Sequence, residues 1–140
     1  ECLRPMEAAD YDAVIDLWRR SEGVGLSTSD TRERIEAYLA RNPGLSQVAV
    51  TEGRVVGAVL CGHDGRRGLI YHLAVDRACR GRGLGRRLVD RALSLLKEQG
   101  IEKAYIMVFD QNIEGRGFWE TVGWDARADL VPMCISLIES

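Results

Sequence analysis

The sequence predicts one α/β (α+β) domain, built on a mixed, mostly antiparallel sheet of about seven strands with about four helices. Three observations predict it. Short apolar runs of strand character are interleaved with stretches whose apolar residues recur at helical spacing. Their order is strand, two helices, three strands, helix, strand, helix, two strands. One strand–turn–helix–strand passage in the middle would lay two strands parallel by a right-handed crossover. A chain of 140 residues holds one domain with a real core and is short for two, so residues 1–140 are read as a single domain.

The elements follow in order. Cys2-Leu3-Arg4-Pro5 reads as a short strand stopped by proline, which suits a sheet edge. Residues 8–20 carry Tyr11, Val14, Ile15, Leu17 and Trp18 as one helical stripe, with Trp18 read as core. Residues 23–29 form a glycine- and serine-rich loop, and Ser29 is the expected N-cap of a second helix over residues 30–41 that buries Ile35, Tyr38 and Leu39. Asn42-Pro43-Gly44 ends it. Two strands over residues 45–51 and 55–61 flank Glu52-Gly53-Arg54, a hairpin signal. The second is apolar on both faces and therefore central, and Gly57 within it marks a bulge or a close approach of backbone. The turn 62–68 offers His63, Asp64 and Arg67, either as substrate-side groups or as solvated turn charges.

Residues 69–75 form the next strand, and a helix runs from the following turn to Gln99 with Gly100 as its stop. Residues 101–108 form a strand parallel to 69–75. Asn112 is placed to cap a last helix reaching about residue 122. Ala126 and the run 130–138 finish as antiparallel strands, with Pro132 at an edge or bulge.

The chemistry concentrates in Arg80-Gly81-Arg82-Gly83-Leu84-Gly85-Arg86-Arg87. A glycine-rich turn between a strand and a helix start exposes backbone N–H groups beside roughly half a positive charge, an anion site. Its arginines are donors suited to phosphate. A P-loop would need a lysine followed by Ser or Thr, and none stands here. A dinucleotide fingerprint would need a third glycine where Arg86 stands. The pattern [QR]-x-x-G-x-[GA] is met by Arg80, Gly83 and Gly85. The bland alternative is a basic turn that caps a helix. A net charge of -2 makes the arginine cluster local, which fits a small anionic ligand and argues against nucleic acid as a partner. The four cysteines show no metal-site spacing, so no metal is expected. Reduced thiols, no signal peptide and no membrane-spanning run point to a cytoplasmic protein without a membrane partner.

That pattern resembles the acyl-CoA loop of the GNAT superfamily of N-acetyltransferases, and Leu73-Ala74-Val75-Asp76 resembles that family's fourth strand. A second segment agrees: Asn112, then Phe118-Trp119-Glu120, then Gly123-Trp124, similar to the family's Asn…Tyr-Glu-x-x-Gly-Phe. The element order matches along essentially the whole chain, and the kind is similar to small bacterial RimI-like or YpeA-like members. The resemblance implies a sheet splayed between strands 4 and 5, and acetyl-CoA as co-substrate. Gly81, Arg82, Gly83, Leu84, Gly85 and Arg86, with Arg80, would hold its pyrophosphate. The edge of Leu73, Ala74 and Val75 would pair with the pantetheine amides. Asn112 would touch the pantetheine arm, and Phe118 and Trp119 would pack near the thioester. The region between the first two helices would line the acceptor side.

The implied reaction moves an acetyl group to a primary amine of a small molecule or peptide by direct attack in a ternary complex. An alkyl amine of pKa about 10.4 must lose a proton first. The candidates at the family's usual positions are Tyr71 and His72; strand alternation sends them to opposite faces, so only one can meet the cleft. His72 is alternatively a packed, hydrogen-bonded core histidine, and Asp110 and Glu114 are further candidates. Trp119 departs from the family's tyrosine and offers no usable acid. That departure keeps a second reading open, a non-catalytic acyl-CoA-binding or regulatory module. The resemblance also leaves a homodimer open, because domains of this family often pair.

Overall fold

The computed structural model describes residues 2–109 and 111–138. They divide after Phe109 into two compact units, taken in turn below.

The first unit is a five-stranded sheet in sequential order: β1 (Cys2–Pro5), β2 (Gln47–Thr51), β3 (Arg54–His63), β4 (Gly68–Val75) and β5 (Ala104–Ile106). The first four pair antiparallel, and β4 with β5 is parallel. Pro5 lies on the edge strand, where its missing N–H costs no ladder bond. β3 is central, and its residues alternate between two buried faces. Ala58 and Leu60 join Val48 beneath α1 (Tyr11–Arg19) and α2 (Arg32–Arg41). On the opposite face lies α3 (Leu84–Glu98), whose Leu88 leaves no room for a side chain on Gly57: a Cβ there would stand 2.9 Å from Leu88 Cδ1. The same stretch of β3 carries a register shift against β2, so the bulge and the close approach expected at Gly57 both occur. Trp18 is fully buried in the cluster under α1, with Val14, Leu17 and Ile35. α3 ends as expected, with Gly100 in the left-handed region at φ 83°.

Two local expectations are corrected. The second helix begins at Arg32, capped by Thr31, whose Oγ1 accepts the Arg34 N–H. Ser29 is not the cap; residues 28–30 form a separate 3-10 turn capped by Ser27. The sheet has five strands among the described residues, and about seven were expected. Residues 126–138 form no strand: a β-prone sequence becomes a strand only beside an edge that takes up its N–H and C=O groups. Pro132 removes one of those donors besides.

The second unit holds α4 (Ile113–Thr121), capped by Asn112, whose Oδ1 accepts the Gly115 N–H at 3.0 Å. Trp119 is buried between the rings of Phe118 and Trp124, at centroid distances of 5.1 and 5.2 Å.

A candidate anion cradle and an opened strand edge

The approach to α3 is built from short local bonds. The Asp76 carboxylate, at the end of β4, accepts the Ala78 N–H at 3.0 Å, and that bond holds its carboxyl below the usual carboxylate range. Arg20, the residue after α1, pairs with Asp76 at 3.5 Å, and Arg77 pairs with Glu22. Arg80 Nε donates to the Val75 carbonyl at 3.1 Å, tying the turn to the end of the strand. Beyond that anchor the chain turns through Gly81 (φ 81°) and Gly83 (φ 76°), both in the region glycine adopts without strain.

Gly83 is the N-cap of α3 and has no side chain to satisfy the helix's first donors. The six N–H groups from Gly81 to Arg86 donate to nothing among the described residues. Their neighbours on either side are occupied: Arg80 N–H bonds to the Arg77 carbonyl and Arg87 N–H to the Gly83 carbonyl. A Cβ on Gly81 or Gly83 would meet nothing within 4 Å, so the face of the turn is open. Arg82, between them, has no ion pair or hydrogen bond among the described residues; Arg86 reaches Asp90 at 3.7 Å. Six free amides, a helix start and an uncommitted guanidinium make a cradle for a diphosphate-sized anion.

Beside the cradle, β4 and β5 pair only from Gly68 with Ala104 to Ile70 with Ile106. From Tyr71 to Val75, β4 has no partner strand on that side among the described residues. Ladder pairing of the two strands therefore stops at Ile70 and Ile106, leaving β4 backbone next to the turn at Arg80.

At the parting point β4 carries a bulge. Leu60 faces Tyr71 and Ala58 faces Ala74, so Val59 alone opposes both His72 and Leu73. His72 takes the left-handed conformation, φ 53°, which a non-glycine residue adopts at a cost. The extra residue reverses the alternation. Gly68 lies under Leu96 of α3, yet Ala74, at the same parity, joins the cluster under α1. Tyr71 packs on that α1 cluster too, and His72 stacks edgewise on Trp18 at 5.0 Å. The expectation that Tyr71 and His72 point to opposite faces is thus corrected; their rings lie 6.2 Å apart on one side.

Across from them runs the loop between α1 and α2, pinned at two points. Phe109, three residues beyond β5, lies on Gly25, where an added Cβ would stand 2.7 Å from Phe109 Cζ. Asp30 bonds His72, Oδ1 to Nε2 at 2.9 Å. The loop thus bridges the two strands where they separate. Asp30 was missed as a site residue because the reading placed it inside a helix. Its signal was present in Ser27-x-x-Asp30, a capping-box spacing that fixes Asp30 at the end of a turn. Phe109 had no sequence signal.

The remaining candidates are accounted for locally. His63 bonds Gly65 N–H and Gln99, Asp64 accepts from Arg66 and Arg67, and Arg67 lies over Tyr105, so these groups build their own turn. Glu114 is exposed in the first turn of α4, and Asp110 lies outside the described residues. Asn112, Phe118 and Trp119 belong to the second unit.

A sequence model of the acetyltransferase (GNAT) family matches residues 11–124, a span that takes in both units. An acetyltransferase of Pectobacterium atrosepticum is 34% identical over 137 residues, covering 98% of this chain and 96% of that protein. Among solved structures, Ard1 from Thermoplasma volcanium superposes with a TM-score of 0.80 at 25% identity, over 91% of this chain and 84% of that one. The PaiA N-acetyltransferase from Thermoplasma acidophilum, solved in complex with coenzyme A, gives 0.79 at 17% identity over 90% of each.

Proposed function

The chain belongs to the acetyltransferase (GNAT) family, and from that premise we propose that it moves an acetyl group from acetyl-CoA to a primary amine of a small molecule or peptide, both substrates being bound at once. The observation that carries the proposal is the run of six amides, Gly81 to Arg86, that have no partner among the described residues, next to the half of β4 that likewise lacks a partner strand among them.

Those amides and Arg82 would bind the pyrophosphate; each charge-assisted bond contributes about 1.5–3 kcal/mol. Arg80 holds the turn against β4 through Val75. The free edge of Leu73, Ala74 and Val75 would take the pantetheine amides as an added strand does. Asn112, whose Oδ1 caps α4, would offer its Nδ2 to the arm. Phe118 and Trp119 would supply an apolar wall near the sulfur. Acetyl-CoA supplies the activated acyl group. Tyr71 and His72, side by side where β4 leaves β5, would border the attacking amine. With Trp119 in the place of the family's tyrosine, the CoA sulfur leaves as thiolate, for which a thiol pKa near 8.5 suffices. Self-association of two copies and a cytoplasmic location belong to the same reading. Val131, Met133, Ile135 and Leu137 are 79%, 91%, 84% and 94% exposed, and all four cysteines are free thiols.

The test is thiol release from acetyl-CoA against a panel of amines, peptides and aminoglycosides, with CoA affinity measured in parallel. Amine-dependent release supports transfer. CoA binding with no amine raising turnover above water favours the binding-module reading, which the missing acid at Trp119 and the unassigned base both recommend. Failure to bind CoA overturns both.

A further inference from the structure

We infer that Asp30 and His72 act as a couple in which His72 Nδ1 takes the proton of the attacking amine and Asp30 is the residue that positions it. The inference rests on the acetyl-transfer reading above and adds to it a residue from the loop between α1 and α2.

The geometry is specific. Asp30 is fixed from three directions. Its Oδ2 accepts the Ser27 N–H at 3.0 Å, its own N–H donates to the Ser27 carbonyl at 3.0 Å, and its carbonyl accepts the Tyr11 hydroxyl at 2.7 Å. The remaining oxygen, Oδ1, faces His72 Nε2 at 2.9 Å. A carboxylate only accepts, so Nε2 carries the hydrogen and Nδ1 keeps its lone pair. Nδ1 has no partner among the described residues. The ring retains 16% exposure, and the Asp30 side chain 8%. The groups that face the ring are Asp30 from the turn before α2, Trp18 from α1 and Tyr71 from its own strand. Tyr71 cannot share the task, because burial raises its hydroxyl further above neutrality and keeps it protonated. The bulge is what turns His72 toward this network. A left-handed non-glycine residue in mid-strand is strained, and such strain collects at working sites.

In the step, the bound ammonium gives one proton to Nδ1, and the freed amine nitrogen forms a bond to the thioester carbon. The C–S bond breaks with its electron pair on the CoA sulfur, and the second nitrogen proton passes to that thiolate or to water. The imidazolium, held by the Asp30 charge, then releases its proton to water, which leaves the amide and free CoA.

The experiment uses the full chain with acetyl-CoA and the best amine of the panel. The variants are Asp30→Asn and His72→Asn; asparagine tolerates positive φ, so the second keeps the bulge. Melting curves and CoA affinity are measured for each. The expected result is a kcat lower by about 10²-fold or more at pH 7 in both, with CoA affinity unchanged. The deficit should shrink as pH approaches about 10, where the amine is free without help. Wild-type kcat in Asp30→Asn, or a deficit independent of pH, overturns the couple while leaving acetyl transfer standing. A wild-type chain that neither binds CoA nor transfers acetyl overturns both. Should His72→Asn fail to fold, Asp30→Asn with the same pH series decides alone.

Discussion

Replacing Gly83 with alanine separates what the turn does for the fold from what it does for a ligand. Gly83 sits at φ 76°, and a Cβ there meets no atom within 4 Å. The penalty in the free protein is therefore backbone strain alone. A left-handed non-glycine residue costs about 1–2 kcal/mol, and the loss of unfolded-state freedom returns part of it, leaving about 1 kcal/mol. For a chain of this size that is a fall of about 3 °C in melting temperature. Gly53, in the β2–β3 hairpin, is an internal control: φ 74°, with equally open space, far in sequence from the turn. Gly53→Ala should lose the same stability. The difference appears with ligand. If the diphosphate sits against the amides that open α3, a methyl at position 83 should displace it from some of them, and losing two charge-assisted bonds costs about 3 kcal/mol, or ~100-fold in Kd. Isothermal titration with CoA, beside thermal melts of both variants, reads both quantities. If Gly83→Ala melts like Gly53→Ala and still binds CoA within about twofold of the parent, the amides do not hold the diphosphate and the cradle is only a helix cap.

Three further outcomes follow from particular contacts. Asp10 accepts two bonds from Arg4 at 2.8 Å and one from the Glu7 N–H, and the Arg4 bond leads the effects that hold its carboxyl below the usual range. A carboxyl lowered on folding stabilises fully above its unfolded value and loses that contribution as pH falls toward the folded one. Asp10→Ala should thus cost about 2 kcal/mol at pH 7, a figure kept low because Arg4 is partly in water, with the gap closing below about pH 4; urea melts across pH check it, and a gap constant down to pH 2.5 contradicts it. Trp119→Tyr should lower the melting temperature, because the ring is packed between Phe118 and Trp124, yet leave kcat unchanged or higher. A large loss of rate with fold and CoA affinity intact would show that the sulfur does not leave unaided. Gly25→Ala must push aside Phe109, which is 58% exposed and can swing, so stability should change by less than about 0.5 kcal/mol while KM for the amine shifts and CoA affinity does not; steady-state kinetics in the amine at saturating acetyl-CoA read this.

What the sequence made legible was whatever local chemistry decides. Gly100 past the last periodic residue of α3, Asn112 ahead of α4, and proline on the edge strand each do alone what the structure shows them doing. The open geometry of the turn from Gly81 to Arg86 belongs with them, because free amides at a glycine-capped helix start need no distant partner. The last strands failed for the opposite reason. Residues 130–138 have the composition of a strand, but pairing depends on an edge elsewhere, and apolar side chains from Val131 to Leu137 remain in solvent.

The functional side chains failed in a subtler way. Strand alternation separates Tyr71 from His72 unless the strand slips by one residue, and whether it slips is set by the register against β3, ten or more residues away. No property of His72 itself announces a positive φ, and histidine is only mildly tolerant of one. Once the bulge exists, its consequences are joint. The slip that ends regular alternation brings the Tyr71 and His72 rings to one face, just past the last β4–β5 pair, and aims the imidazole at the Asp30 carboxylate that Ser27 and Tyr11 hold in place. A regular β4 would turn His72 toward the α3 face and leave Asp30 facing nothing. If His72 carries the proton path inferred above, a substitution that restores regular alternation at position 72 should abolish the Asp30 contact and the transfer rate together.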